Sequence, residues 1–176
     1  MTLRWQHGLF VLDERRDRCC DNKEGTGMDF LPLGDVELHY TSLTSLDYGV
    51  GGQHYGTMDG WLRGEDVRGE LRLTNLAPRR PDNVNLPTLR GLLTTEDDAL
   101  VYVEMNGIAT LRPADDARVF VTSLTFRTGD ARYAWLNTLF GVLEGVLDMV
   151  ALTARGRAYR CQPTIGGMEP GRGQAE

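Results

Sequence analysis

The first candidate for catalysis is Glu104, a carboxylate between Val103 and Met105 in an otherwise apolar stretch. If Leu100, Tyr102 and Glu104 face the inside of an apolar cavity, burial raises the pKa of the Glu104 carboxyl and suits it to general acid or base catalysis. On the other reading, Glu104 faces solvent and its neighbours form the core. The sequence leaves both readings open.

Two further residues complete the set of candidate catalytic side chains. Glu144 raises the same question of orientation as Glu104, and Arg68 is a candidate for polarising a substrate carbonyl. The three residues interpreted as catalytic are therefore Glu104, Arg68 and Glu144.

An arginine pair at Arg79 and Arg80 offers a different chemistry. Such a pair can grip a carboxylate or an enolate, because each guanidinium presents several donors in a fixed plane. It can equally brace its own loop against Asp82 or Asp98, and we favour this bracing role.

Aromatic and apolar strand residues are the candidate substrate contacts. Aromatic side chains in strand proteins usually belong to the core, and Asn137 can hydrogen-bond either a turn or a ligand carbonyl, with the turn favoured. The candidate substrate-binding residues are Tyr40, Trp61, Tyr102, Phe120, Leu124, Trp135 and Asn137.

The sequence contains no nucleophile elbow, phosphate loop, dinucleotide fingerprint or His-Glu-x-x-His motif. The three histidines are isolated along the chain, and no base accompanies Cys161, so a metal site and a thiol nucleophile are both disfavoured. We expect neither a cofactor nor a bound metal.

Composition limits the partners. The chain has 176 residues and a formal net charge of −6, which disfavours a nucleic-acid surface. No segment approaches the roughly 20 apolar residues of a membrane helix, the N-terminus resembles no signal peptide, and three cysteines form no disulfide framework. We expect a cytoplasmic protein whose partner is a hydrophobic small molecule, and leave a homodimer open.

The chain divides into three parts by composition. Residues 1–28 are charged and lack a periodic apolar face, so we interpret them as an N-terminal extension, mobile or serving as a lid. Residues 29–161 form the predicted domain, and the Gly- and Pro-rich residues 162–176 are interpreted as a flexible tail.

Strand patterns dominate the domain. Apolar and polar residues alternate with a period of two over 36–41, 67–74 and 118–127, and a short polar turn joins the predicted strands 89–95 and 99–105. Successive antiparallel strands must curl to avoid exposed edges, which favours a closed barrel. One stretch differs, because the apolar residues of 134–153 fall at helical spacing and by themselves predict an amphipathic helix.

Two motifs carry a resemblance to a known family. The run RGELRLTNLAPRRPDNVNLPTLRGLLTTEDDALVYVEMNG, residues 68–107, and the run TGDARYAWLNTLFGVLEG, residues 128–145, resemble a widespread bacterial family of unknown function, number 3237 among the domains of unknown function. The resemblance covers about residues 36–160. It implies an all-β fold, an antiparallel β-barrel similar to allene oxide cyclase and the lipocalin-like (calycin-like) barrels, and no general activity. It also replaces the helix with closing strands at 139–146 and 149–159.

The fold similarity suggests two functions of different classes. The first is a cofactor-independent cyclase or isomerase, including a pericyclic Diels–Alder-type reaction, that folds a hydrophobic specialised metabolite such as a polyketide inside the barrel. The second is a lipocalin-like carrier with the same cavity and no catalysis. An enzyme should place a carboxylate or an arginine within reach of an otherwise apolar ligand, whereas a carrier need not. A barrel filled by its own side chains would favour a structural role.

Overall fold

Strands make up almost all the regular structure of the computed structural model, which describes residues 5–6, 9–10 and 27–164. Most of the predicted N-terminal extension and C-terminal tail lies outside these ranges. Two short strands, β1 (Trp5–Gln6) and β2 (Leu9–Phe10), pair with each other. The remaining strands are β3 (Met28–Asp47), β4 (Gly52–Arg63), β5 (Arg68–Arg79), β6 (Thr88–Thr95), β7 (Leu100–Leu111), β8 (Arg118–Arg127), β9 (Phe140–Asp148) and β10 (Thr153–Pro163).

Strands β3 to β10 form a closed antiparallel barrel. Each strand pairs with the next along the chain, and β10 closes the circle by pairing with β3. Closure leaves no free edge among these eight strands, which removes the unpaired backbone groups that an open sheet would present. The predicted all-β antiparallel barrel is therefore confirmed.

Alternation along the strands separates the lumen from the outer wall. In β8, buried or half-buried Phe120, Thr122 and Leu124 face inward, while Val119 and Val121 are exposed. The strand spans the predicted residues 118–127, because one apolar face at a period of two is the pattern that a half-buried strand requires.

Strand β4 was not predicted from the sequence. Three of its inward positions are glycines, Gly52, Gly56 and Gly60, and these interrupt the apolar alternation that continues at Met58 and Leu62. Small residues are needed at these positions because neighbouring backbone and rings approach closely, as at Gly56, where an added Cβ would lie 2.9 Å from Cε1 of Tyr40.

The ambiguous stretch 134–153 is not an α-helix. A 3-10 helix, Ala131–Thr138, precedes β9, and a turn leads into β10, so the closing strands are confirmed and the helical interpretation is wrong. The second closing strand begins at Thr153 rather than at residue 149. The helical spacing has a different origin: Leu136 packs into the barrel end, whereas Leu143 and Leu147 face the lumen from β9.

The two ends of the barrel differ. At the lower end, the 3-10 helix lies over the lumen and buries Leu136 completely, with 0% of its surface exposed. At the upper end lie the connections 48–51, 80–87, 112–117 and 149–152. Side chains therefore fill the lower half of the lumen, and among residues 27–164 the space that remains lies towards the upper end. No helix in the described ranges has the length and apolar character of a membrane-spanning segment.

Candidate functional site

The upper half of the lumen contains two adjoining cavities. The inner chamber has a volume of about 50 Å³ and is lined mainly by apolar residues, including Leu38, Met58, Met105 and Phe120. The mouth chamber, about 30 Å³, lies between it and the upper end and is more polar. Both chambers share the residues Tyr40, Asn75, Pro87, Ala109 and Leu147. An apolar cavity with a few converging polar groups is the usual form of a small-molecule site.

Tyr40 stands at the junction of the two chambers with its hydroxyl orientation set by neighbours. The backbone N–H of Thr88 donates to Oδ1 of Asn75 (3.3 Å), which directs the amide nitrogen of Asn75 towards Tyr40. That nitrogen donates to the Tyr40 hydroxyl oxygen at 2.5 Å. Since the oxygen is occupied as an acceptor, the Tyr40 O–H remains available to donate to a ligand.

Local backbone structure places the Tyr40 ring over the cavity. The pairing of β3 with β4 shifts register between Tyr40 and Ser42, a bulge that redirects the strand at this point. The ring then packs over Gly56, where no side chain blocks it. Burial raises the pKa of the Tyr40 phenol, and the Asn75 contact only partly opposes this, so the group stays protonated at neutral pH.

Arg118 begins β8 and points into the mouth chamber. Only 7% of its surface is exposed. Its Nη1 donates to the Asn83 carbonyl oxygen (2.9 Å) and its Nη2 to the Asn83 side-chain oxygen (3.1 Å). No described carboxylate lies within ion-pair distance of this guanidinium. Burial and the nearby charge of Arg79 lower the pKa of Arg118, yet an arginine remains charged under physiological conditions.

Polar atoms without partners are concentrated in this part of the lumen. Within residues 27–164, the buried side-chain atoms that lack a hydrogen-bond partner are Oδ1 of Asn85, Nε of Arg118 and Oγ1 of Thr122. Asn85 and Arg118 line the mouth chamber, and Thr122 lines the inner chamber. A buried polar group without a partner costs free energy, so the three residues that carry such atoms and line the two adjoining chambers indicate a place where a polar ligand atom is accepted.

His54 lies on the opposite side of the mouth chamber from β8. Its Nδ1 is 2.8 Å from the Ser45 hydroxyl oxygen, so Nε2 is the nitrogen left for other contacts. Burial, followed by the charges of Arg118 and Arg79, lowers the pKa of His54, while the nearby Asn85 side chain opposes the shift. At neutral pH the imidazole is therefore uncharged and can accept a proton.

Of the two readings of Glu104, the structure supports the solvent-facing one, and the catalytic role that depended on the inward orientation is wrong. In β7 the inward residues are Val101, Val103 and Met105, and Glu104 lies on the outer wall. There its carboxylate contacts Nε of Arg90 at 3.1 Å. Both faces of this strand carry apolar residues, so the alternation could not tell which face was buried.

The other two candidate catalytic residues also lie outside the lumen. Arg68 is exposed at the start of β5, where its Nε donates to the Gly64 carbonyl oxygen at 3.1 Å. Glu144 is exposed on β9 and accepts a hydrogen bond from the Tyr159 hydroxyl at 3.0 Å. Neither side chain reaches the cavity, and the structure does not bring the three together.

The predicted substrate contacts divide between the two faces. Tyr40 and Phe120 line the inner chamber, and Leu124 is buried in the lumen. Trp61, 40% exposed, and Tyr102 lie on the outer wall, where they cannot contact a ligand in the lumen.

Trp135 and Asn137 belong to the 3-10 helix at the lower end, far along the barrel from the cavity. Trp135 packs against the core. Asn137 has the favoured structural role: its side chain accepts from the Thr128 backbone N–H at 2.8 Å and donates to the Thr128 carbonyl oxygen at 3.0 Å.

Arg80 braces its own loop against Asp82, as favoured from the sequence, whereas Arg79 contacts Asp47, a partner that was not predicted. Nη2 of Arg80 contacts Asp82 at 2.6 Å, and Nη2 of Arg79 contacts Asp47 at 2.7 Å. The arginine that enters the lumen is instead Arg118, which was not predicted from the sequence. A signal existed, because Arg118 shares a period-two face with Phe120, Thr122 and Leu124.

Comparison with known proteins gives a family and a fold. The profile of a family described as a protein of unknown function (DUF3237) matches residues 50–152. No curated protein matches the sequence significantly.

Solved structures with the same fold come from several organisms. A β-barrel-like protein from Acinetobacter baumannii is 16% identical, with a TM-score of 0.69, and the match covers 80% of this chain and 99% of that one. A conserved protein of unknown function from Rhodopseudomonas palustris is 19% identical, with a TM-score of 0.67 and coverage of 77% and 98%. An enzyme from Penicillium herquei is 16% identical, with a TM-score of 0.55 and coverage of 78% and 96%.

Proposed function

This chain belongs to the DUF3237 family of proteins of unknown function, and we propose that it is a cofactor-independent isomerase or cyclase acting on a compact, largely apolar carbonyl compound held in the upper lumen. The observation that carries the proposal is the Tyr40 hydroxyl, which Asn75 leaves free to donate at the edge of an apolar chamber. The uncharged His54 shares the mouth chamber with it.

The size of the cavity favours a compact or slender substrate. Typical ligand pockets measure about 300–1,000 Å³, whereas the two chambers measure about 50 and 30 Å³. A molecule with a short chain or a single small ring suits this space better than an extended polyketide. Its apolar part would lie against Met58, Met105 and Phe120, with its carbonyl oxygen at Tyr40.

Tyr40 and His54 supply the two groups that enolisation requires. His54 Nε2 accepts a proton from the carbon next to the substrate carbonyl. The C–H electron pair becomes a carbon–carbon double bond, and the carbonyl π pair moves to the oxygen, which the Tyr40 O–H stabilises by a hydrogen bond.

The resulting enolate has two balanced outcomes. Where the substrate also carries a β,γ carbon–carbon double bond, the anion is a dienolate, and His54 can return the proton to its γ-carbon, which yields the α,β-unsaturated isomer. Alternatively, the enolate carbon attacks an electrophilic carbon of the same molecule, a ring bond forms, and His54 protonates the anion produced. Neither outcome needs an oxidant, a reductant or a metal, since the proton is borrowed and returned.

A carrier protein is the second candidate. The absence of Glu104, Arg68 and Glu144 from the lumen favours it, because no carboxylate among the described residues faces the cavity. The arginine expected of an enzyme is present, however, in the form of Arg118. The two candidates predict the same binding and differ only in turnover.

Deuterium exchange tests the proposal. In D₂O, the wild-type protein is expected to accelerate replacement of the central protons of 2,4-pentanedione above the buffer rate, as followed by NMR. Tyr40→Phe and His54→Gln should each reduce the enzymatic part of that rate by roughly 10²-fold or more, the usual contribution of an oxyanion donor or a general base.

Glu104→Gln is the matched control, since it removes a carboxylate from the outer wall and should leave the exchange rate unchanged. Binding of 2,4-pentanedione without exchange would identify a carrier. Exchange that is equal in wild type, Tyr40→Phe and His54→Gln would show that the lumen does not perform this chemistry.

A further inference from the structure

Arg118 differs from the other arginines at the upper end of the barrel. Each of those neighbours has its own aspartate at 2.6 or 2.7 Å: Arg79 with Asp47, Arg80 with Asp82, and Arg112 with Asp115. The chain contains 25 acidic residues, so carboxylates are abundant. Arg118, the most deeply buried of these arginines, nevertheless contacts none of the described carboxylates.

A buried charge without a counter-ion is expensive to maintain. Desolvation of a guanidinium costs several kcal/mol unless an anion or enough hydrogen bonds compensate for it. Asn83 supplies two neutral acceptors, which leaves Nε without a partner. Among residues 27–164, the compensation that is missing is therefore negative charge on the cavity side.

The donors left on Arg118 define the shape of that anion. Asn83 takes one hydrogen from each terminal nitrogen, so the Nε hydrogen and one hydrogen on each terminal nitrogen remain. The Nε hydrogen and a terminal hydrogen lie side by side in one plane, which matches the two oxygens of a carboxylate. The mouth chamber, about 30 Å³, suits this small planar group.

The surrounding polar atoms fit the same ligand. Asn85 lines the mouth chamber with an amide that can present either a donor or an acceptor. Thr122 lies two inward positions deeper on the same face of β8, beyond Phe120, and offers a hydroxyl donor towards the inner chamber. Nε of Arg118 and the hydroxyl of Thr122 could thus both donate to one ligand that enters from the mouth, whereas Oδ1 of Asn85 is an acceptor and would not contact its carboxylate.

We propose that the mouth chamber is a carboxylate subsite, in which Arg118 binds an ionised carboxylate and directs the rest of the molecule towards Tyr40 and the inner chamber. The substrate class is then a compact acid that also carries a carbonyl, a keto acid. The inference rests on the proposed function for the carbonyl, but the carboxylate site is testable without catalysis.

The test compares hexanoate with hexanamide, two slender molecules that differ in charge. NMR titration of ¹⁵N-labelled full-length protein, with the Arg118 Nε–H signal as a local probe, gives both affinities. We expect wild type to bind hexanoate on the order of tenfold more tightly than hexanamide, the usual effect of one charge-assisted contact. The preference should disappear in Arg118→Met and persist in Arg80→Met, which removes a positive charge outside the chamber.

The outcomes separate this inference from the proposed function. Equal affinity for the two molecules, or an unchanged preference in Arg118→Met, would overturn the carboxylate subsite and leave the exchange of 2,4-pentanedione unaffected. A clear preference without any exchange would support the subsite and contradict the enzyme. If Arg118→Met does not fold, Arg118→Lys keeps the charge without the paired donors and should bind hexanoate more weakly than wild type does.

Discussion

In the upper lumen, a residue that is suited to binding a ligand can lower the stability of the fold. Arg118 is held by Asn83 and contacts no carboxylate of residues 27–164, and the Tyr40 hydroxyl accepts a hydrogen bond from Asn75, which leaves its own proton available to a ligand. The Arg118 arrangement is not what packing alone would select, because a buried charge is often replaced by an apolar side chain without loss of stability. Arg118 therefore has a cost that a ligand would offset.

This view predicts that Arg118→Met does not weaken the fold. Methionine fills much of the same space with a flexible apolar chain, and it removes a desolvated charge from a site without a described carboxylate. Thermal melting should give a Tm equal to or above that of wild type. A Tm lower by many degrees would mean that the Asn83 contacts stabilise the barrel more than the buried charge destabilises it.

His54 predicts a pH dependence of stability. Its folded-state pKa lies below its usual value, because burial and the charges of Arg118 and Arg79 disfavour the imidazolium. The unfolded chain therefore binds the proton more readily. The contribution of His54 is complete above about pH 6.5, the ordinary value, and is lost as the pH falls through the lower folded-state pKa.

Urea denaturation at pH 7.5 and at mildly acidic pH would measure this effect. The free energy of unfolding should fall more in wild type than in His54→Gln over that interval, since glutamine does not titrate. Parallel losses in both proteins would contradict the pKa shift.

At the scale of elements, register decides which side chains form the site. The strand β8 was predicted with its residues 118–127 and its apolar face. The orientation of β7 was not predicted, because Leu100 and Tyr102 place apolar side chains on its outer face as well. The cavity could not be predicted from the sequence, because Tyr40, Asn75 and Arg118 come from three different strands. Only the register of strand pairing decides how far along the barrel axis each of them lies.

Glycine positions test how the elements create the cavity. A Cβ at Gly56 would lie 2.5 Å from the Ser42 carbonyl oxygen and 2.9 Å from Cε1 of the Tyr40 ring, so Gly56→Ala should displace both the β3 backbone and the ring. We expect a loss of about 1–3 kcal/mol, the usual cost of overpacking, together with weaker ligand binding. Gly129→Ala is the matched control, because nothing lies within 4 Å of its added Cβ. Equal stability of the two variants, measured by urea denaturation, would show that Tyr40 adjusts freely.

At the scale of the whole molecule, the barrel is closed below and accessible above. The 3-10 helix seals one end with Leu136, while the upper connections surround the mouth chamber. A ligand must therefore enter past Arg118 and His54 before it reaches the apolar chamber. This order of contacts suits a molecule that leads with its apolar end and leaves its charged end at the mouth.

The stability of the barrel should not depend on residues 1–27. Strand β3 begins at Met28 and pairs with both β10 and β4, so the closed sheet is complete from that point. Removal of residues 1–27 is expected to leave the Tm within a few degrees of the full-length value. A much lower Tm would indicate that the extension packs against the barrel, and Trp5, Leu9 and Phe10 would then become candidate ligand contacts.

Methyl NOEs provide the most direct test of the central claim that the upper lumen is the ligand site. With ¹³C-methyl methionine in the full chain, 2,4-pentanedione should give intermolecular NOEs to Met58 and Met105, which line the inner chamber. Met28, half-exposed at the start of β3, is the internal control and should give none. NOEs to Met28 without any to Met58 and Met105, or no NOEs at concentrations that saturate binding, would contradict the account.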